Sequence, residues 1–89
     1  MKKNPNYILR NIAGDAVLIP TGKAAQNFNG MMTLNETAAF IWDHLEDAGN
    51  RERLVELVLE NYDVDPEEAR RDVFGLVGAM VSLGIVEDR

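Results

Sequence analysis

The hydrophobic period of this chain changes once, near residue 34, and that single change divides the molecule. Upstream, apolar and β-branched residues come in short runs: "YILRNI" (7–12), "AVLIP" (16–20) and "FNGMMT" (28–33). Downstream, Ala38, Ile41, Trp42 and Leu45 recur at i, i+3, i+4 and i+7, the spacing that lines one face of a helix. Consecutive short strands pair antiparallel and lay one face against helices. The expectation is therefore an α+β domain, a three-stranded antiparallel sheet followed by three helices. A chain of 89 residues holds one such domain, over 1–89, with one modest core.

Turn and cap residues punctuate this order. Gly14-Asp15 suits a tight hairpin that needs positive φ. Pro20 lacks an N–H and ends the second strand, and "TGKAAQN" (21–27) reads as a loop. Two caps compete for the first helix. Thr33 with Glu36 fits a capping box, and Asn35 after Leu34 fits a cap with a hydrophobic staple. Asn35 is preferred because it leaves Thr33 in the strand. Gly49 closes this helix. The second spans about Arg51 to Tyr62, with Leu54, Leu57, Val58 and Tyr62 inward. Asp65, Pro66 and Glu68 start the third, over about 66–83, and Gly84 stops it so that Ile85-Val86 folds back on its last turn.

Composition removes several functions. With no cysteine there are no disulfides, thiolate metal sites or cysteine nucleophiles. The N-terminal "MKKNPNYILRN" lacks the apolar stretch of a signal peptide, and no run reaches the ~20 apolar residues that span a bilayer. A cytoplasmic protein without membrane contact is the expectation. His44, the one histidine, sits off the first helix's apolar stripe and is expected in solvent; no metal-ligand spacing surrounds it. Glu67/Glu68 suit a helix N-terminus better than acid–base chemistry. No nucleophile–base set or phosphate-binding glycine loop is present, so neither catalysis nor a cofactor is expected. Residues 34–89 hold fourteen acids against five arginines, while 1–33 hold Lys2, Lys3, Arg10 and Lys23 against Asp15. This balance argues against nucleic-acid binding. A winged-helix DNA-binding protein is the alternative, but the third helix offers only Arg70 and Arg71 before "VFGLVGAMVSL", too apolar for reading a groove.

That helix is the informative one. Ala69, Val73, Leu76 and Met80 form its core stripe, and Phe74, Val77 and Val81 form a second apolar strip beside it. One stripe a little over 100° wide would suffice for a surface helix. The second strip either packs on the protein's own sheet and termini or borders a groove, where Gly78 would let another backbone approach. Met31 and Met32 pose the same choice, since strand neighbours point to opposite faces. "FNGMMT" has neither charge nor proline to guard an edge. An open edge beside an apolar helix is what peptide binding by strand addition requires. The edge could equally pair with a second copy, so a monomer or weak dimer is expected.

In "VLIPTG" (17–22), "FNGMMTLNETAAFIW" (28–42), "NYDVDPEEARRDV" (61–73) and "LGIV" (83–86), the chain resembles the PqqD family, whose members are also called precursor-peptide recognition elements. The resemblance implies a winged-helix-like fold. It also implies a function: holding the leader segment of a ribosomally made precursor peptide and presenting it to a maturation enzyme, often a radical S-adenosylmethionine maturase. Carried onto this sequence, the guest would lie along Asn29, Gly30, Met31, Met32 and Thr33, against a helix wall of Arg70, Phe74, Val77 and Val81. Asp72 matches the family's "DV" element, with an outward polar contact as one option for its role. The positive N-terminal third would admit an acidic leader near the sheet.

Overall fold

A computed structural model of the chain describes residues 1–22 and 31–87. Its elements run β1 (Lys2–Lys3), β2 (Tyr7–Ile12), β3 (Asp15–Pro20), β4 (Met32–Leu34), α1 (Glu36–Ala48), α2 (Arg51–Asn61), α3 (Pro66–Ser82) and β5 (Val86–Glu87). β2, β3 and β4 form one antiparallel sheet in that order, and the three helices follow. The sequence-based expectation of an α+β fold with this layout holds. Residues 28–30 of the third expected strand lie outside the described residues. The strand itself takes in Leu34, one residue beyond its expected end.

The β2–β3 hairpin turns one residue earlier than expected. Ile12 pairs with Asp15, which leaves Ala13-Gly14 as the loop. Both have positive φ, 52° and 88°, the pattern of a two-residue type I′ turn. Alanine is strained there, at about 1–2 kcal/mol, and asparagine relieves part of that cost through local hydrogen bonding. Ala13→Asn is thus expected to stabilise the fold by about 0.5–1 kcal/mol, read as a higher urea midpoint at unchanged slope.

The register puts Leu9, Leu18 and Met32 in one row on the core side of the sheet. Leu18 is fully buried, whereas Ile8 and Ile12, on the opposite face, are exposed. The helices close over the core side with Leu34, Ile41, Leu45, Leu54, Val73 and Met80, and no described polar side chain is buried with them. Trp42 is buried, as its place in the apolar stripe predicts, and the Lys3 ammonium lies 4.9 Å above its ring. His44 departs from expectation: it is half-buried, its ring 4.4 Å from that of Phe40.

Every helix start is capped by a side chain. Asn35 accepts from the Ala38 N–H at 2.8 Å, Asn50 from Arg53 at 2.8 Å and Asp65 from Glu67 at 3.1 Å. Gly49 closes α1 at φ 79°, donating to the Leu45 carbonyl. At the end of α3, the Gly84 N–H donates to the Val81 carbonyl and the Ile85 N–H to that of Met80. This pair of bonds is a Schellman motif, and it needs the positive φ that Gly84 adopts. It folds Ile85 and Val86 into the core.

One pairing has no signature in the sequence. β1 and β5 join as a two-stranded sheet, with Lys2 opposite Glu87 and Lys3 opposite Val86. Asn4 secures it: its amide donates to the Gly84 carbonyl at 2.9 Å and its backbone N–H to that of Ile85 at 2.9 Å. Two residues per strand are too few to show periodicity.

The stripes of α2 and α3 are both rotated from expectation. Val55 is buried and Leu57 only partly so; Val77 is buried and Leu76 only partly so. The cause is shared. α2 and α3 pack closely against each other, which turns the buried line of each helix toward their common seam.

Candidate functional site

Among the described residues, β4 is bonded on one side only. It pairs with β3, and no described strand lies along its other edge. Met32, half-buried, faces the core side; Thr33, exposed, faces the other; Leu34 is buried. Met31, just before the strand, is 61% exposed, the most exposed large apolar side chain described. Asn35 then turns the chain directly into α1, so the first turns of that helix stand at the end of the open edge.

Beyond Asn35 a cleft opens between α1 and α3. Asn35, Thr37, Ala38 and Ile41 line it from one side, Asp72 and Leu76 from the other, around about 240 Å³. Ile41, Ala38 and Leu76 give it an apolar floor. Asn35, Thr37 and Asp72 give it a polar rim. A second hollow, lined by Asp15, Ala16, Leu34 and Glu36 among others, adjoins it through Asn35.

The opposite flank of α3 belongs to α2. The Arg70 guanidinium makes two hydrogen bonds to the Glu52 carboxylate, at 2.6 and 2.7 Å, and lies 4.6 Å above the Phe74 ring. The hydrogen bonds from Arg70 hold the Glu52 carboxyl below its usual value, and those same bonds raise the Arg70 guanidinium. The pair therefore stays ionised at neutral pH. Phe74 is half-buried beside it, and Val81, two turns on, is half-buried on the same flank.

The residues expected at the site are thus divided. Met31, Met32 and Thr33 lie on or beside the open edge; Asn29 and Gly30 lie outside the described residues. Val77 is a correction. It is 0% exposed and forms part of the core, not of an open wall. Arg70 is tied to Glu52 of α2 and covers the Phe74 ring, and the two lie about 120–160° around the helix from Asp72 and Leu76 at 100° per residue. The residues that do border the cleft, Leu76, Ile41 and Thr37, carry no binding signal in the sequence, where apolar periodicity and helix capping account for them. Asp72 alone carried a signal, as an outward polar residue in a motif.

A three-stranded sheet whose last strand has no described partner on its outer edge, backed by a three-helix layer with a cleft beyond the end of that strand, defines a small α+β fold. A family model described as Coenzyme PQQ synthesis protein D (PqqD) matches residues 15–86, and the chain belongs to that family. Among solved structures it is similar to one described as TbiB1 in complex with the TbiA(beta) leader peptide. The two share 21% identity at a TM-score of 0.76, over 100% of this chain and 98% of that one. It is also similar to a lasso peptide synthetase B1 complexed with the leader peptide, at 24% identity and a TM-score of 0.73, over 94% of this chain and 93% of that one. A comparison with curated proteins finds no match. Among the described residues, no helix is long and apolar enough to cross a membrane.

Proposed function

We propose that this protein binds the leader segment of a ribosomally made precursor peptide as a fourth strand along β4 and presents it to a modifying enzyme. The observation that carries the reading is the edge of β4 along which no described strand lies, with the α1–α3 cleft opening just beyond its end. Backbone hydrogen bonds along the edge supply affinity, and alternate side chains of the guest enter the cleft and supply selectivity. Membership of the PqqD family supports it, as does the likeness to two proteins solved with leader peptides. The role is that of a carrier and not a catalyst, in the cytoplasm, with a radical S-adenosylmethionine maturase as the expected partner. The chain acts as a monomer or weak dimer whose edge the guest occupies.

The DNA-binding alternative gains nothing from α3. Arg70 is held by Glu52, and Arg71 is followed by Asp72 and Gly75 on the exposed surface. A groove reader needs a row of donors there.

The test is calorimetric titration with the leader of the precursor encoded beside this gene. Wild-type protein is expected to bind one leader. Met31→Pro fixes φ and removes an N–H at the start of the edge, and is expected to weaken binding about tenfold, the equivalent of one or two backbone hydrogen bonds. Equal affinity for both proteins, with unchanged folding, would reject strand addition at β4.

A further inference from the structure

The fold sorts the charges of the helical half. Arg53 is held by Glu56 and Glu60, each at 3.0 Å, and Arg70 by Glu52. Both ties lie on the α2 side. On the other flank of α3, the cleft has Asp72 on its rim and no cation among its described lining residues. The adjoining hollow repeats this, with Asp15 and Glu36 and again no cation. Asp72, Asp15 and Glu36 are exposed, and their side chains make no hydrogen bond or ion pair with any described residue.

The described cations of the N-terminal third are placed elsewhere, and Lys23 lies outside the described residues. Lys3 lies over Trp42, Lys2 belongs to the β1–β5 sheet, and Arg10 is on β2, the edge strand farthest from β4. The overall charge of residues 1–33 suggested an acidic leader near the sheet. The distribution of the described charges favours the reverse.

Spacing adds a second constraint. Side chains at i and i+2 of an extended strand share one face, about 7 Å apart. Asp72 and Leu76 stand one helical turn apart, about 6 Å. One face of an added strand can therefore meet both.

We propose that the cleft selects a basic–apolar leader strand: an apolar side chain seats on Leu76 and Ile41, and a lysine or arginine two residues away meets the Asp72 carboxylate. This rests on the leader-binding reading above and makes Asp72 the residue that sets charge preference at that site.

The experiment is selection of random dodecapeptides displayed on phage against the intact wild-type protein and against Asp72→Lys, followed by anisotropy titration of the recovered peptides. Wild type is expected to enrich Lys or Arg two positions from an aliphatic or aromatic residue. Asp72→Lys is expected to enrich Asp or Glu at that position. Wild-type-selected peptides should bind Asp72→Asn about three- to fivefold more weakly, the scale of a solvent-accessible ion pair. They should also lose more affinity with added salt on wild type than on Asp72→Asn. Thermal melting of both variants should match wild type, because Asp72 has no described partner to lose.

The same charge preference in wild type and Asp72→Lys, with binding still lost in Met31→Pro, would overturn the selectivity and leave strand addition standing. Selected peptides that bind Met31→Pro as tightly as wild type would instead overturn strand addition, and this proposal with it. Failure to enrich any peptide counts against both.

Discussion

Replacing Leu18 by alanine is expected to lower stability by about 2–5 kcal/mol, the cost of a large-to-small change in a core that collapses only partly around the cavity. Leu18 is 1% exposed, on the central strand, with Leu9 and Met32 as cross-strand partners in one row. The core of an 89-residue chain is small, and at about 0.05–0.15 kcal/mol per residue total stability comes to roughly 4–13 kcal/mol, of which the low end leaves little beyond that loss. A urea titration followed by circular dichroism should show the midpoint fall sharply, with part of the population unfolded at the upper end of the range. The change also removes the support under Met32, so leader affinity should fall along with stability. A loss below about 1 kcal/mol would mean that the sheet is not packed on the helices as described.

The second large effect separates the two flanks of α3. Leu76→Ala takes apolar surface from the floor of the cleft, and an anchor seated there is worth about 1.5–3 kcal/mol. Leader affinity is expected to fall tenfold or more, with a smaller loss of stability than at fully buried Leu18, because Leu76 packs on the core but is only half-buried. Phe74→Ala should do the opposite. It removes the core-packed ring beneath the Arg70 guanidinium that reaches α2, so about 1–3 kcal/mol of stability is lost while affinity changes less than about twofold. Calorimetry with the leader and denaturation of both variants read the contrast directly. Weaker binding in Phe74→Ala than in Leu76→Ala would put the guest on the α2 side of the helix, where the residue pattern first pointed.

The two flanks show why the site was harder to read than the fold. The wheel of α3 has more apolar residues than one stripe requires, so the sequence shows that a second surface exists. It does not show which neighbour takes which side. Leu76 and Val77 are adjacent and similar in size, and a rotation of about 100° exchanges them. α2 sets that rotation: it claims Arg70 through Glu52 and draws Val77 inward. Leu57 and Val55 were exchanged on α2 for the same reason. Ala13-Gly14 became the hairpin loop in place of Gly14-Asp15 because cross-strand register, which local turn preference does not carry, fixed the pairing of Ile12 with Asp15.

The sequence by itself determined the order of strands and helices, the caps at Asn35, Asp65, Gly49 and Gly84, and the presence of an unguarded edge before the first helix. These follow from side-chain periodicity and from φ preferences that act within a few residues. Only the tertiary structure decided which edge of the described sheet has no described partner, which flank of α3 borders the cleft, and that Arg70 is drawn to α2 while Asp72 stands on the cleft rim. Those outcomes depend on how helices turn against one another, and that rotation is set by contacts between residues far apart in the chain.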